Sequence, residues 1–167
     1  MSVAETKFDQ ILELLNREGV RFIVIGGLAA MAHGNTRATY DVDVVYSRDR
    51  ANVRRLAEVL QPYQPYLRGA PPGLPFSWDE KTIRMGLNFT LTTQLGELDL
   101  LGEVAGAGNY DQLLPHSETL TIFGVTCQCA TLKRLIQMKY AAGRPKDFLI
   151  LAELQALLEE RRKRGLS

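Results

Sequence analysis

Asp41 and Asp43 stand two residues apart in the run Asp-Val-Asp-Val-Val, a short distance after the double glycine Gly26-Gly27. A strand's period of two places both carboxylates on one face and Val42 and Val44 on the other. Neighbouring carboxylates repel, and each raises the other's pKa unless a cation lies between them. A divalent, oxygen-loving ion suits that position: Mg²⁺, with Mn²⁺ as its substitute. Glycines without Cβ atoms let backbone approach a phosphate closely, and the first turn of a following helix offers free N–H donors. Metal-holding acids beside a phosphate-binding turn describe a site for a nucleoside triphosphate. The plain alternative is a pair of solvated aspartates after a structural glycine turn.

Local patterning supports this placement. Phe22–Ile25 is an apolar, partly β-branched run that stops at Gly26, which predicts a strand breaking into a turn. Leu28–His33 has helical composition closed by Gly34, and Tyr40–Tyr46 predicts the strand that carries both aspartates. The string GGLAAMAHGNTRATYDVDVV resembles the nucleotidyltransferase superfamily that includes DNA polymerase beta-like enzymes. It also resembles the small bacterial toxin-type branch of toxin–antitoxin and abortive-infection systems. Arg37, Thr39, Asp41 and Asp43 stand where that branch carries Arg, Thr, Asp and Asp. The resemblance implies nucleotide contacts at Gly26, Gly27, Arg37 and Thr39, and metal ligation by Asp41 and Asp43.

Two further segments extend the likeness. In Glu97-Leu-Asp-Leu-Leu101 the resemblance implies that Asp99 is a third carboxylate, carried on a strand beside the first. It would complete the metal site or accept a proton from the attacking hydroxyl, with Glu97 and Glu103 as lesser candidates. Leu135-Ile136, Lys139 and Ala141–Asp147 match the branch's LIxxK and AAGRPKD strings, but Ile150 stands where an aspartate is often found. Lys139 and Lys146, backed by Arg144, are the candidates to hold the β- and γ-phosphates as pyrophosphate leaves. Their alternative is an ion pair with Asp147 or Glu153, or simple solvation. The likeness spans residues 20–46, 96–101 and 130–155.

What it implies is an α/β fold: a mixed, twisted sheet flanked by helices, with a C-terminal helical pair. Residues 1–130 would form the core, and 131–167 a helical extension packed on it as one unit. The implied activity is Mg²⁺-dependent transfer of a nucleotide from an NTP to an acceptor hydroxyl on RNA, such as tRNA, or on a partner protein. An antitoxin is an implied partner. The alternatives are a small-molecule nucleotidyltransferase, as in aminoglycoside or lincosamide inactivation, and an inactive binding module of the same fold.

The remaining sequence must position these groups. Net charge is +1, but from Thr131 onward nine Lys/Arg face four Asp/Glu, leaving the earlier part acidic. An acidic half and a basic half suit a polyanionic substrate between them, with Arg161–Arg164 as a solvated tail. Cys127 and Cys129 lack partners for a zinc site and suit reduced packing residues. With no signal peptide and no apolar run long enough for a bilayer, the expected location is cytoplasmic, away from membranes.

Ser2–Glu5 has capping-box spacing before an amphipathic helix through Phe8, Ile11, Leu12 and Leu15. Ser47 is the expected N-cap of a helix with Val53, Leu56, Ala57 and Leu60 inward. The proline-rich stretch from Pro62 to Trp78 predicts a loop. Its Tyr63, Tyr66, Phe76 and Trp78 either stack on substrate or pin it to the core. Lys81–Met85 and Asn88–Thr93 predict strands, Asn109–Leu114 a helical turn, and Glu118–Phe123 with Val125–Ala130 a hairpin. Thr131 caps a helix ended by Gly143, and Pro145 opens another with two apolar rows. His33 lies close enough to the glycine turn to touch a nucleotide.

Overall fold

The computed structural model describes residues 5–165. Helix α1 (Phe8–Arg17) buries Ile11, Leu12, Leu14 and Leu15, with Lys7 at its N-cap. The capping box expected at Ser2–Glu5 begins outside the described residues. Strand β1 (Phe22–Ile25) is buried along its length and runs directly into α2 (Gly26–Ala32). Gly26 makes that reversal with a left-handed φ of +69°. Strand β2 (Asp41–Tyr46) returns antiparallel to β1, opposing Asp43 to Ile25.

Helix α3 (Arg50–Leu60) buries Val53, Leu56, Ala57 and Leu60. Its N-cap position falls to Asp49 rather than Ser47; Ser47 is buried, and its Oγ accepts the Asp49 N–H. The proline-rich stretch is not all loop. After a 3-10 turn at Gln61–Tyr63 it supplies a short edge strand, β3 (Tyr66–Leu67). Its aromatics pin it to the core: Phe76 stands edge-on to Tyr66, Trp78 packs against Phe89, and Trp78 Nε1 donates to Leu56 O at 3.1 Å.

The strand expected over Lys81–Met85 is instead α4 (Glu80–Met85). Asp79 decides this, since its Oδ1 accepts the Thr82 N–H at 2.8 Å and starts a helix whose single buried residue is Ile83. Strands β4 (Asn88–Thr93) and β5 (Gly96–Leu101) form a hairpin. A small ribbon of β6 (Glu103–Val104) and β7 (Gly108–Asn109) precedes α5 (Tyr110–Leu113), which an Asn109–Gln112 capping box opens. Strands β8 (Ser117–Ile122) and β9 (Val125–Ala130) turn at Phe123 and Gly124. Both turn residues have positive φ (49° and 78°), as a two-residue hairpin requires.

Thr131 caps α6 (Leu132–Ala142), Gly143 ends it at φ +61°, and α7 (Pro145–Lys163) follows. Leu135, Ile136, Met138, Leu151 and Leu154 bring both helices into the main core. Of the two apolar rows expected on α7, the one through Ile150, Leu154 and Leu157 packs on the core, whereas the one that starts at Phe148 is only partly buried: Leu151 is inside and Phe148 is 59% exposed. No helix among the described residues is long and apolar enough to cross a membrane.

The main sheet has the order β3-β4-β5-β2-β1-β9-β8. The β2–β5 and β1–β9 pairs are parallel and the others antiparallel, giving a mixed sheet. Register in the β2–β5 pair positions the site, because Asp41 opposes Glu97 and Asp43 opposes Asp99. Val42, Val44, Leu98 and Leu100 are fully buried, so alternation sends all four acids to the opposite face.

Candidate metal and nucleotide site

Asp41, Asp43 and Asp99 each offer an oxygen, and these three atoms lie within 4.8 Å of one another. Asp43 is the most constrained of the three. Its Oδ1 is buried and makes no hydrogen bond. Its Oδ2 faces Gly26, where any Cβ would collide with it. Burial pushes the Asp43 carboxyl up to about 8, assisted by the negative charges of Asp99 and Asp41, while Lys139 pulls the other way. An orphaned oxygen in a crowd of acids is what a divalent cation relieves, so the three residues could hold one. Gly27 is small for a related reason: a Cβ there would lie 2.8 Å from Thr39 Oγ1. Thr39 thus packs against the double glycine, and its hydroxyl donates weakly to Asp41 O at 3.4 Å.

Beside the acids stands a residue that sequence reasoning missed. Arg68 follows β3, and its guanidinium spreads across the cluster. Nη2 donates to Asp99 Oδ1 at 2.7 Å and to Leu91 O at 2.8 Å, while Nη1 lies 3.7 Å from Asp41 Oδ2. Nε faces Glu97 Oε2 at 3.0 Å, an ion pair without hydrogen-bond alignment. Glu97 therefore belongs to the cluster as the partner of Arg68, whereas Glu103 is exposed on β6. No local signal marks Arg68. Only the pairing of β3 with β4 carries it to Asp99.

On the other side of Asp43 a cavity of about 250 Å³ opens, lined by Gly26, Gly27, Arg37, Lys139 and Arg144 with an apolar wall that includes Met138 and Ile150. Lys139 Nζ lies 3.2 Å from Asp147 Oδ1, and Arg144 grips the same carboxylate through Nε at 2.8 Å and Nη2 at 3.2 Å. Asp147 is 1% exposed, and the hydrogen bonds from Arg144, then Lys139, draw its carboxyl down to about 2. Arg37 reaches the cavity while paired with Glu153, its Nη2 2.6 Å from Oε1. Lys146 is exposed and does not line the cavity, so the structure separates it from Lys139. Ile150, where the toxin-type pattern carries an aspartate, gives the cavity an apolar wall instead.

His33 is not available to a nucleotide. It is buried, with Nε2 donating to Ala130 O at 2.8 Å and Nδ1 accepting from Arg161 Nη2 at 3.0 Å, partners that suit the neutral ring. Desolvation, and then the charge of Arg161, lower its pKa. Arg161 is accordingly a tether between the end of α7 and the end of α2, not part of a solvated tail. Cys127 and Cys129 are buried free thiols, pushed up to about 11 and about 12 by desolvation.

No protein-family model and no curated protein matches this sequence. Solved structures do. The lincosamide antibiotic adenylyltransferase LnuA, in its lincomycin-bound form, superposes with a TM-score of 0.60 at 14% identity, over 94% of this chain and 99% of that one. The antibiotic-resistance factor ANT(2'')-Ia gives 0.53 at 16% identity, over 95% and 90%. Protein TM1012 from Thermotoga maritima gives 0.51 at 13%, over 95% and 90%. The architecture is thus that of an α/β protein with a seven-stranded mixed sheet flanked by helices. More narrowly, the chain has the nucleotidyltransferase fold.

Proposed function

We propose that the protein is a metal-dependent nucleotidyltransferase that moves a nucleotide from an NTP to an acceptor hydroxyl. The observation that carries this reading is the buried, unpartnered oxygen of Asp43 within the Asp41–Asp43–Asp99 cluster, on this fold. In the proposed reaction the acceptor oxygen attacks the α-phosphorus, the bond to the bridging oxygen of pyrophosphate breaks, and the hydroxyl proton passes to Asp99. Mg²⁺ or Mn²⁺ held by Asp41, Asp43 and Asp99 would supply Lewis-acid charge neutralisation at the reacting phosphate. Gly26 and Gly27 leave the approach to Asp43 free of side chains, and Thr39 braces that turn. Lys139 and Arg144, fixed by Asp147, neutralise the leaving pyrophosphate, with Arg37 at the edge of the same cavity.

Two acceptor classes each have an observation behind them. The likeness to LnuA bound to lincomycin, and to ANT(2'')-Ia in complex with adenylyl-2"-tobramycin, favours a small hydroxylated molecule. The AAGRPKD string and its resemblance to toxin-type enzymes favour RNA or a protein, with an antitoxin as a partner. One experiment tests both. Each α-³²P-labelled NTP is supplied with Mg²⁺ or Mn²⁺ together with total RNA, the protein itself, a lincosamide and an aminoglycoside. Label is expected in one fraction and lost in Asp43→Ala. Equal inertness of wild type and variant across every combination would leave only a binding module.

A further inference from the structure

The proposed metal site already contains a cation of its own. Arg68 contacts two of the three candidate ligands, through Asp99 Oδ1 at 2.7 Å and Asp41 Oδ2 at 3.7 Å. It is not a loose surface side chain. Its side chain is 22% exposed, Leu91 O and Glu97 hold the guanidinium, and its backbone N–H pairs with Thr90 O at 2.9 Å. Glu97 is outside the three-acid group and serves this arginine. The guanidinium fork matches several carboxylates at once, which an ammonium could not do. A fixed positive charge at this distance repels an incoming divalent ion in a partly dehydrated site, where screening is weak.

We propose that Arg68 is a resident counter-cation that holds down the affinity of the Asp41–Asp43–Asp99 cluster for free divalent metal, so that metal loads together with the negative charge of a nucleotide. This inference rests on the metal-site reading above. It assigns Arg68 a positioning and affinity-setting role rather than a chemical one. It also gives the proline-rich segment a function, which is to deliver one arginine to the sheet face.

The test is Mn²⁺ binding by electron paramagnetic resonance, without nucleotide and then with a non-hydrolysable NTP, for wild type, Arg68→Gln and Arg68→Lys. Arg68→Gln is expected to bind free Mn²⁺ about tenfold more tightly than wild type or better. Nucleotide should shrink that difference. Arg68→Lys keeps the charge but cannot span the carboxylates, so it should fall between the two and serves where Arg68→Gln does not fold. A role in folding alone would lower the melting temperature with no gain in Mn²⁺ affinity. The proposal further expects Mn²⁺ to raise the melting temperature of Arg68→Gln more than that of wild type.

Wild type that binds Mn²⁺ while both variants bind it equally or more weakly would overturn the counter-cation role alone. Absence of Mn²⁺ binding in every form, with and without nucleotide, would overturn the metal site and this inference together.

Discussion

Two charge clusters flank Asp43, and they are built with opposite stoichiometry. On the β4–β5 side one guanidinium, Arg68, is shared among Asp41, Glu97 and Asp99. On the helical side one carboxylate, Asp147, is shared between Lys139 and Arg144. The first is short of positive charge and the second short of negative charge. Two aspartates show the consequence: Asp43, buried among acids, is pushed up to about 8, while Asp147, gripped by two cations, is drawn down to about 2. A metal complex of a triphosphate carries both missing charges, cation toward one cluster and anion toward the other. Residue type alone therefore says little about an aspartate's role; the count of cations around it decides.

The contrast can be broken most severely at Asp43. Asp43→Asn should cut transfer by on the order of 10³-fold, measured with α-labelled NTP. The same change should raise the melting temperature of the metal-free protein above about pH 8, where the buried Asp43 carboxyl would otherwise have to ionise beside two other acids. A variant both inactive and less stable would mean that Asp43 is structurally satisfied and the cluster needs no cation.

Asp147→Ala should do the reverse and cost about 3 kcal/mol in urea unfolding, since it strips the shared partner from Lys139 and Arg144. A loss below about 1 kcal/mol would reduce the helical cluster to a surface ion pair. Gly26→Ala comes next, at about 2 kcal/mol, from the strain of a left-handed backbone and the clash with Asp43. It should also weaken Mn²⁺ binding, which a purely local strain effect would not.

The smallest expected effect separates the two clusters from the ordinary core by pH. His33 is held neutral, with its folded pKa lowered from 6.5, so its contribution is complete above 6.5 and declines as pH falls below that value. Asp147, with its pKa lowered from 3.8 to about 2, contributes fully above 3.8 and loses that only as pH falls toward 2. Asp43, whose carboxyl is pushed up from 3.8 to about 8, gains stability as pH falls across this range, so the His33 loss is read as a difference. Between pH 7 and 5 the urea midpoint of wild type should fall relative to that of His33→Gln. Asp147→Ala should keep the wild-type slope over that range.

Much of this arrangement was legible locally. The alternation of Asp41, Val42, Asp43 and Val44, and of Glu97, Leu98, Asp99 and Leu100, needs only the two-residue period of a strand. Gly26, Gly34 and Gly143 mark turns for steric reasons that hold in any chain. The misreadings fell where local signals compete. Lys81–Met85 has no strong periodicity, so the Asp79 cap settled it as helix. Phe148 fits a helical stripe on paper but faces solvent, because the face of that helix that packs on the core runs through Ile150, Leu151, Leu154, Leu157 and Leu158. Lys139 and Lys146 look equivalent in sequence, yet helical geometry turns one toward Asp43 and leaves the other outside.

By itself the sequence determined which residues share a face, where the chain must turn, and that two acids would stand together behind a side-chain-free bend. Those are consequences of backbone geometry over a few residues. The tertiary structure alone decided that Asp99 opposes Asp43, that Asp147 is buried between two cations, and that Arg68 lies across the acids. Each depends on register or packing between segments distant in the chain, and no local periodicity encodes the charge that a neighbouring strand or helix will bring.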